Sequence, residues 1–512
     1  MLQKTYTAAL HGIDAIIITI EVNYSKGIGL FMVGLPDASV RESHDRIRSA
    51  LKVNGYKFPS GHILINLAPA DIKKEGAAYD LPLAIGILGA AGIIKTEKIS
   101  QYMLIGELSL DGTLQPVRGV LPIAIKAKEA GFKGLILPVS NAREAAVVDE
   151  LEVYGAENIA DVIEFLNENR ILQPTIVNTR DEFYTNQTIF DFDFADVKGQ
   201  ENVKRAMEVA CSGGHNIILV GPPGAGKSML AKRIPSILPP LNIQESLETT
   251  KIHSVAGKIV NHGSLIASRP FRNPHHSISM AAMVGGGSYP QPGEISLAHN
   301  GVLFLDEIAE FSRIVLEVMR QPLEDRNIVI SRAKFSVQYP AGFMLVASMN
   351  PCPCGFHNHP DRECVCSPGQ VQKYLNRISG PLLDRIDIQV EIVPVPFEKI
   401  SDIRPSESSA LIRERVIKAR AIQEARFADE KGIYCNAQMF TRLLHKYAQP
   451  DAAGLALLKD AMNRLNLSAR AYDRILRVAR TIADLDGEER ILSHHLGEAI
   501  GYRNLDREGW VG

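Results

Sequence analysis

The sequence predicts an α/β protein in three parts: an N-terminal α/β domain, a second α/β domain built around a phosphate-binding loop, and a C-terminal helical bundle. Three observations carry this. Short β-like runs alternate with helical stretches over the first third of the chain. The apolar run Ile217–Val220 leads straight into GPPGAGKS and then the helical MLAKRIPSIL. Four segments after residue 409 repeat apolar residues at helical spacing. A chain of 512 residues also exceeds what one hydrophobic core covers.

The first domain is assigned to residues 1–172, with AIIITIEV and HILINLA as strands and 39–53 and 123–131 as helices. Residues 173–190, QPTIVNTRDEFYTNQTIF, are polar with little periodicity and read as a linker. The second α/β domain spans 191–395. A Pro-containing bridge at 394–409 leads into the C-terminal part, 396–512, with helices expected at 410–428, 437–447, 452–465 and 469–485.

Composition narrows the class. With 46% hydrophobic and 22% charged residues, the chain fits an ordinary globular protein and not a disordered or fibrous one. A formal charge of −2 means that any nucleic-acid contact must come from local patches. The apolar run at 79–94 contains Asp80 and Pro82 and is shorter than the roughly 20 residues that span a bilayer, so no membrane segment is expected. Lys4, His11, Asp14 and Glu21 interrupt the N-terminal apolar residues, which does not suit a signal peptide; a cytoplasmic location is expected.

The stretch Gly221, Pro222, Pro223, Gly224, Ala225, Gly226, Lys227, Ser228 fits G-x-x-x-x-G-K-[ST] between strand and helix. Its glycines let backbone N–H groups curl around phosphates, Lys227 reaches the β and γ phosphates of ATP, and the Ser228 hydroxyl binds Mg²⁺. GVLFLDE, 301–307, is an apolar strand ending in two acids. Asp306 is assigned to the Mg²⁺ shell, and Glu307 to orienting or deprotonating the attacking water. A third strand, FMLVASMN, ends at Asn350, whose amide is placed to sense the γ phosphate; a strand-end Asn taken alone is more often a turn residue.

This order of elements resembles the AAA+ ATPases. RPFRNPHHSISMAAMVGGGSYPQPGEISLAHNGVLFLDE, 269–307, together with GPLLDRID, 380–387, resembles the magnesium chelatase-like branch. Over all three parts the chain resembles the ComM/YifB family, described as competence-related DNA branch-migration helicases. The resemblance implies a homo-oligomeric ring, expected to be a hexamer, with nucleotide between neighbouring subunits. It further implies that Arg385 is an arginine finger, with Arg377 as runner-up, and that Arg470 is a second sensor arginine. Arg269, Arg272, His275 and His276 precede a Gly-rich turn where related ATPases carry a pore hairpin. Two readings stay open for them: a grip on phosphates of single-stranded or branched DNA without regard to sequence, or a cap on the subunit interface.

The first domain resembles the Lon protease domain, through IGELSLDGTLQPVRG at 105–119. Ala78 and Leu121 stand where that family carries its serine and lysine, so the fold is expected without peptidase activity. Of six cysteines, Cys211 and Cys435 are isolated and read as small core residues. Cys352, Cys354, Cys364 and Cys366 form two C-x-C pairs in NPCPCGFHNHPDRECVCSPG and are read as ligands of a structural Zn²⁺, with His357 and His359 as substitutes and free surface thiols as the alternative. The leading functional expectation is an ATP-driven DNA motor. The alternative is a chelatase-type ATPase that remodels a protein or metal-insertion partner, which the lack of a D-x-S-x-S motif disfavours.

Overall fold

The computed structural model describes residues 1–259, 265–287, 290–332, 335–359, 361–396, 398, 406–430, 432–465 and 467–503. They fall into two compact units: Met1–Asn186 with Ile243–Ala267, and Gln187–Asn242 with the chain from Ser268 onward. The fold is mixed α/β with parallel strands in both units and a helical C-terminal region.

The first unit holds a seven-stranded sheet in the order Gly29–Val33, His62–Ala68, Asp14–Ser25, Leu2–His11, Tyr102–Leu104, Gly134–Pro138, Glu152–Ala156. Its long hairpin pairs Leu2 with Asn23 and His11 with Asp14 across a turn at Gly12, whose φ of 66° is cheap only for glycine. The expected strands AIIITIEV and HILINLA are both present and pair antiparallel. The apolar run at 79–94 folds as the helix Asp80–Ala90, buried along its entire length. Among the described residues no helix is long and apolar enough to cross a membrane. Asp80 enters that core gripped by Arg46 on both of its oxygens, at 2.7 and 2.9 Å, with Leu108 N donating at 3.2 Å; burial still pushes its carboxyl above the usual carboxylate range, and these bonds only partly oppose it.

Two features of this unit differ from the sequence reading. The segment taken as a linker forms the helix Thr179–Asn186 and buries Phe183, while Arg143 pairs with Glu182 at 2.9 Å. The helix Ile243–Val255, which follows the phosphate-loop region in sequence, packs in the first unit, on the helix Val120–Glu129. There Ser254 O accepts from Gly119 N at 3.0 Å, and Ser254 Oγ donates to Glu144 at 2.5 Å. Glu144 also accepts from Leu121 N at 3.1 Å, so one buried carboxyl joins the inserted helix to the helix that carries Leu121.

The second unit is organised by a five-stranded parallel sheet in the order Phe271–Arg272, Val302–Leu305, Met344–Met349, Ile217–Val220, Ile388–Glu391. The strands at 217–220, 302–305 and 344–349 are buried throughout, as expected of parallel strands covered on both faces. A hairpin of Asn327–Arg332 and Phe335–Pro340 lies between the second and third of these in sequence. The helices Ser409–Arg426, Thr441–Tyr447, Ala452–Arg464 and Ala469–Leu485 follow the expected pattern, and Ser493–Gly501 is an additional one. Their apolar faces share one core with the sheet, in which Ile412, Ile475 and Leu476 join Ile217, Val302 and Val346. Cys211 and Cys435 are buried, as expected of small core residues.

Burial pushes the Glu144 carboxyl above the usual carboxylate range, and its hydrogen bonds to Ser254 and Leu121 only partly oppose this. A carboxyl whose pKa rises on folding costs stability as pH climbs from the unfolded value through the folded one. Glu144→Gln is therefore expected to widen its stability advantage over the parent between pH 4.5 and pH 8 in chemical denaturation. A constant difference across that range would contradict the account.

Candidate nucleotide site

Three strands of the parallel sheet deliver the predicted site residues to one edge. Ile217–Val220 runs into the phosphate loop, Val302–Leu305 ends at Asp306 and Glu307, and Met344–Met349 lies between them and ends at Asn350. This is the carboxyl edge of a parallel sheet, where open α/β folds place their ligands. The loop is tied to its neighbour by Gly221 N donating to Met349 O at 3.2 Å. Gly224 and Gly226 adopt φ of 80° and 87°, and the space above Gly224 is open.

Lys227 is buried, and its Nζ donates to Gly221 O at 2.7 Å, Pro222 O at 2.9 Å and Asn350 Oδ1 at 3.0 Å. Burial pulls its pKa down, and the nearby carboxylates of Asp306 and Glu307 partly restore it. Ser228 Oγ donates to Asp306 Oδ2 at 2.7 Å, and Ser348 Oγ donates to Asp306 Oδ1 at 2.5 Å. Ser348 Oγ also accepts from Glu307 N at 3.1 Å. Glu307 itself holds a left-handed φ of 54°, uncommon for a non-glycine residue, and its side chain is exposed at the rim. Sequence reasoning missed Ser348, because a lone serine in FMLVASMN looks like a tolerated core residue. Tyr374 was also missed; burial pushes its hydroxyl up to about 12, the Glu310 carboxylate adds to that, and a hydrogen bond with the Asn350 backbone opposes it.

Paired hard oxygens from Ser228 and Asp306 suit Mg²⁺, and an open glycine loop beside a buried ammonium suits a polyphosphate.

The arginines separate by edge. Arg385 stands at the opposite edge of the sheet, just before Ile388–Glu391, where Asn216 Nδ2 donates to its carbonyl at 2.8 Å. It is buried: Nη2 donates to Glu324 at 2.5 Å, Nη1 donates to Pro381 O at 2.5 Å, and Nε has no hydrogen-bond partner among the described residues. Arg470 is exposed, 3.8 Å from Asp384, the residue before Arg385, and so lies on the Arg385 side. Arg377 pairs at 2.9 Å with Glu310, three residues beyond Glu307, on the side of its own site.

The four residues proposed for a phosphate grip also separate. Arg269 donates to the carbonyls of Pro239 at 2.7 Å, Asn300 at 2.8 Å and Pro240 at 3.2 Å. Arg272 forms a two-pronged pair with Glu294 at 2.6 and 2.7 Å. Both guanidiniums are committed within the unit, which weighs against the phosphate-grip reading of these two residues and leaves the cap reading open. His275 is exposed and stacks at 4.0 Å on His276, with Nδ1 2.8 Å from Ser277 Oγ. Part of the Gly-rich turn, 288–289, lies outside the described residues.

The four clustered cysteines converge. The Sγ of Cys352 lies 3.3 Å from that of Cys354 and 3.7 Å from that of Cys364, Cys354 and Cys364 are 3.5 Å apart, and Cys366 completes the group. His357 and His359 are not part of it.

Comparison with known proteins follows this division of the chain. Residues 193–400 match the family model for magnesium chelatase, subunit ChlI, 20–141 that for subunit ChlI of Mg-chelatase, and 406–503 that for the ChlI C-terminal region. The competence protein ComM of Haemophilus influenzae is 44% identical over 506 residues, covering 98% of this chain and 97% of that protein. The chain belongs to the ComM/YifB family of magnesium chelatase-like AAA+ ATPases. The YifB protein of Escherichia coli is 43% identical over 514 residues, covering 99% of this chain and 98% of its own length. Over 151 residues the chain is also 30% identical to Lon protease 2 of Bacillus subtilis, a match of 28% of this chain and 27% of that one. In this AAA+ ATPase, Ala78 lies in the turn Ala77–Tyr79, and Leu121 is buried in the helix Val120–Glu129.

Because Arg269 satisfies three main-chain carbonyls, Arg269→Ala is expected to lower the stability of the second unit by roughly 2–4 kcal/mol. Urea denaturation checks it, and a variant as stable as the parent would restore Arg269 as a free cation.

Proposed function

We propose that this AAA+ ATPase assembles into a ring, a hexamer, and drives strand movement on branched or single-stranded DNA in the cytoplasm. The observation that carries this is the near full-length similarity to a protein named for competence, joined to a nucleotide site whose parts converge on one sheet edge.

Each residue has a task in this reading. The N–H groups of Gly221 to Ser228 cradle the phosphates, and Lys227 transfers its donors from the carbonyls of Gly221 and Pro222 to the β and γ oxygens. Ser228 and Asp306 hold the Mg²⁺, which neutralises phosphate charge. Glu307 polarises the attacking water, and Asn350, already in contact with Lys227, reports the γ phosphate to its strand. Arg385 and Arg470, on the far edge of the sheet, complete the site of a neighbouring subunit; Arg377 lies on the wrong side for that task. The four thiolates hold one Zn²⁺ in a closed, structural site.

The first unit acts in assembly or partner binding and not as a peptidase, because Ala78 and Leu121 offer neither nucleophile nor base. For DNA, His275 and His276 are the remaining candidates of the original four. A chain of charge −2 can still attract DNA when a ring brings one such patch per subunit to a single channel. Contacts of that kind are sequence-independent and weaken steeply with salt.

A second reading, a chelatase-type motor acting on a protein or metal-insertion partner, draws on the descriptions of the matching family models. The two part on DNA-stimulated ATP turnover. Forked or junction DNA is expected to stimulate turnover by the parent protein, with the stimulation lost as salt rises; no stimulation by any branched or single-stranded DNA would transfer the case to the second reading. Lys227→Ala is expected to lose nucleotide binding, whereas Glu307→Gln binds ATP and fails to hydrolyse it. Turnover by Glu307→Gln at the parent rate would remove Glu307 from its assigned task.

A further inference from the structure

The loop from Met349 to Cys366 touches the phosphate loop at three points. Met349 O accepts from Gly221 N at 3.2 Å, and Asn350 Oδ1 accepts from Lys227 Nζ at 3.0 Å. The third point is steric. Gly355, between Cys354 and Phe356, is buried with its backbone flush against Pro223, so that a Cβ there would lie 2.5 Å from Pro223 Cδ and 2.9 Å from Cγ. Its φ of 85° makes this a turn that only glycine adopts without strain.

Little else in the loop holds that turn in place. Among the described residues between Cys352 and Cys366, only the side chain of Cys352 is buried, and Val365 is 85% exposed. Gly355 N donates to Cys352 O at 3.0 Å, which closes the turn locally but does not press it on the phosphate loop. The four sulfurs do converge. A tetrahedron of Zn–S bonds of about 2.3 Å has edges of about 3.8 Å. The three sulfur separations of 3.3, 3.5 and 3.7 Å approach that edge, and Cys366 lies within 4.8 Å of the other three. Each C-x-C pair supplies two donors, and the first pair flanks the backbone that leads into Gly355.

Building on the zinc reading above, we propose that the zinc of Cys352, Cys354, Cys364 and Cys366 is a strut for the phosphate loop: it locks the Gly355 turn against Pro223 and thereby sets the affinity for nucleotide. Metal occupancy then regulates the ATPase at the binding step. The zinc itself has no open coordination position and takes no part in the chemistry. A loop freed of metal would let Pro223 and Asn350 drift, and the ordering of the phosphate loop would have to be supplied on each nucleotide binding event.

The test uses the full-length protein, purified without chelators, and reads zinc by elemental analysis and affinity by titration with a fluorescent ATP analogue. The parent is expected to carry about one zinc per chain, and stripping it with a chelator is expected to weaken the analogue by about tenfold or more, with recovery on adding zinc back. Cys364→Ser with Cys366→Ser should behave like the stripped parent. Gly355→Ala keeps all four ligands and is expected to retain zinc yet bind the analogue more weakly, which separates the strut from a general loss of folding. Equal affinity in stripped and reloaded parent overturns the strut while leaving the zinc. Absence of zinc from the parent overturns both.

Discussion

The carboxylate of Asp306 is the fixed point of the nucleotide site. It is held from both sides, by the Ser228 hydroxyl at the start of the phosphate-loop helix and by the Ser348 hydroxyl in the adjoining strand. Ser348 in turn accepts from Glu307 N, which helps to hold the left-handed turn that sends the Glu307 side chain to the rim. Two hydroxyls and one acid thus register three separate strand ends, and that registration depends on the strands being parallel. Were any of the three reversed, its last residue would emerge at the opposite edge. Burial of these strands on both faces is what keeps them in place.

The same parallel order sets Arg385 and the phosphate loop at opposite edges of the sheet. Arg385 belongs to the segment that enters the sheet beside Ile217, so it emerges where the phosphate loop does not. It is tied there through Asn216, whose backbone N–H donates to Asp387 and whose side-chain oxygen accepts from Leu345 N. Buried Asp387 keeps its charge against the cost of burial because Arg474 and His215 lie beside it, and its carboxyl sits well below the usual carboxylate range. This network fixes Arg385 and Arg470 on one side, and the phosphate loop on the other. A head-to-tail contact between like subunits would bring two such unlike edges together, and a ring is the form in which that contact closes on itself.

What could be read from sequence follows from how local each signal is. The phosphate loop, the two acids after GVLFL, and the four cysteines lie in contiguous stretches whose chemistry is stated by neighbouring residues. Ser348 was invisible because a hydroxyl in an apolar strand declares nothing until its partner carboxylate is placed. The choice between the two readings of Arg269 was hidden for a related reason: its acceptors are carbonyls 29 to 31 residues away, and carbonyls carry no sequence signal. Those bonds close the chain on both flanks of residues 243–267 and join them to Asn300, two residues before the strand Val302–Leu305. Helical spacing announced nothing of that segment's departure to the first unit, since amphipathicity tells which face is buried and not against what. The polar segment at 173–190 likewise hid a helix whose buried surface is little more than one phenylalanine.

The central claim is that each hydrolytic site combines the phosphate loop of one chain with Arg385 of the next. It is tested most directly by mixing Lys227→Ala and Arg385→Ala proteins, each inactive alone, and measuring ATP turnover after subunit exchange. If the two halves come from different chains, random rings contain interfaces with an intact phosphate loop from one variant and an intact arginine from the other, and turnover recovers to about a quarter of the parent rate. A mixture that exchanges subunits and stays as inactive as either variant would contradict the account.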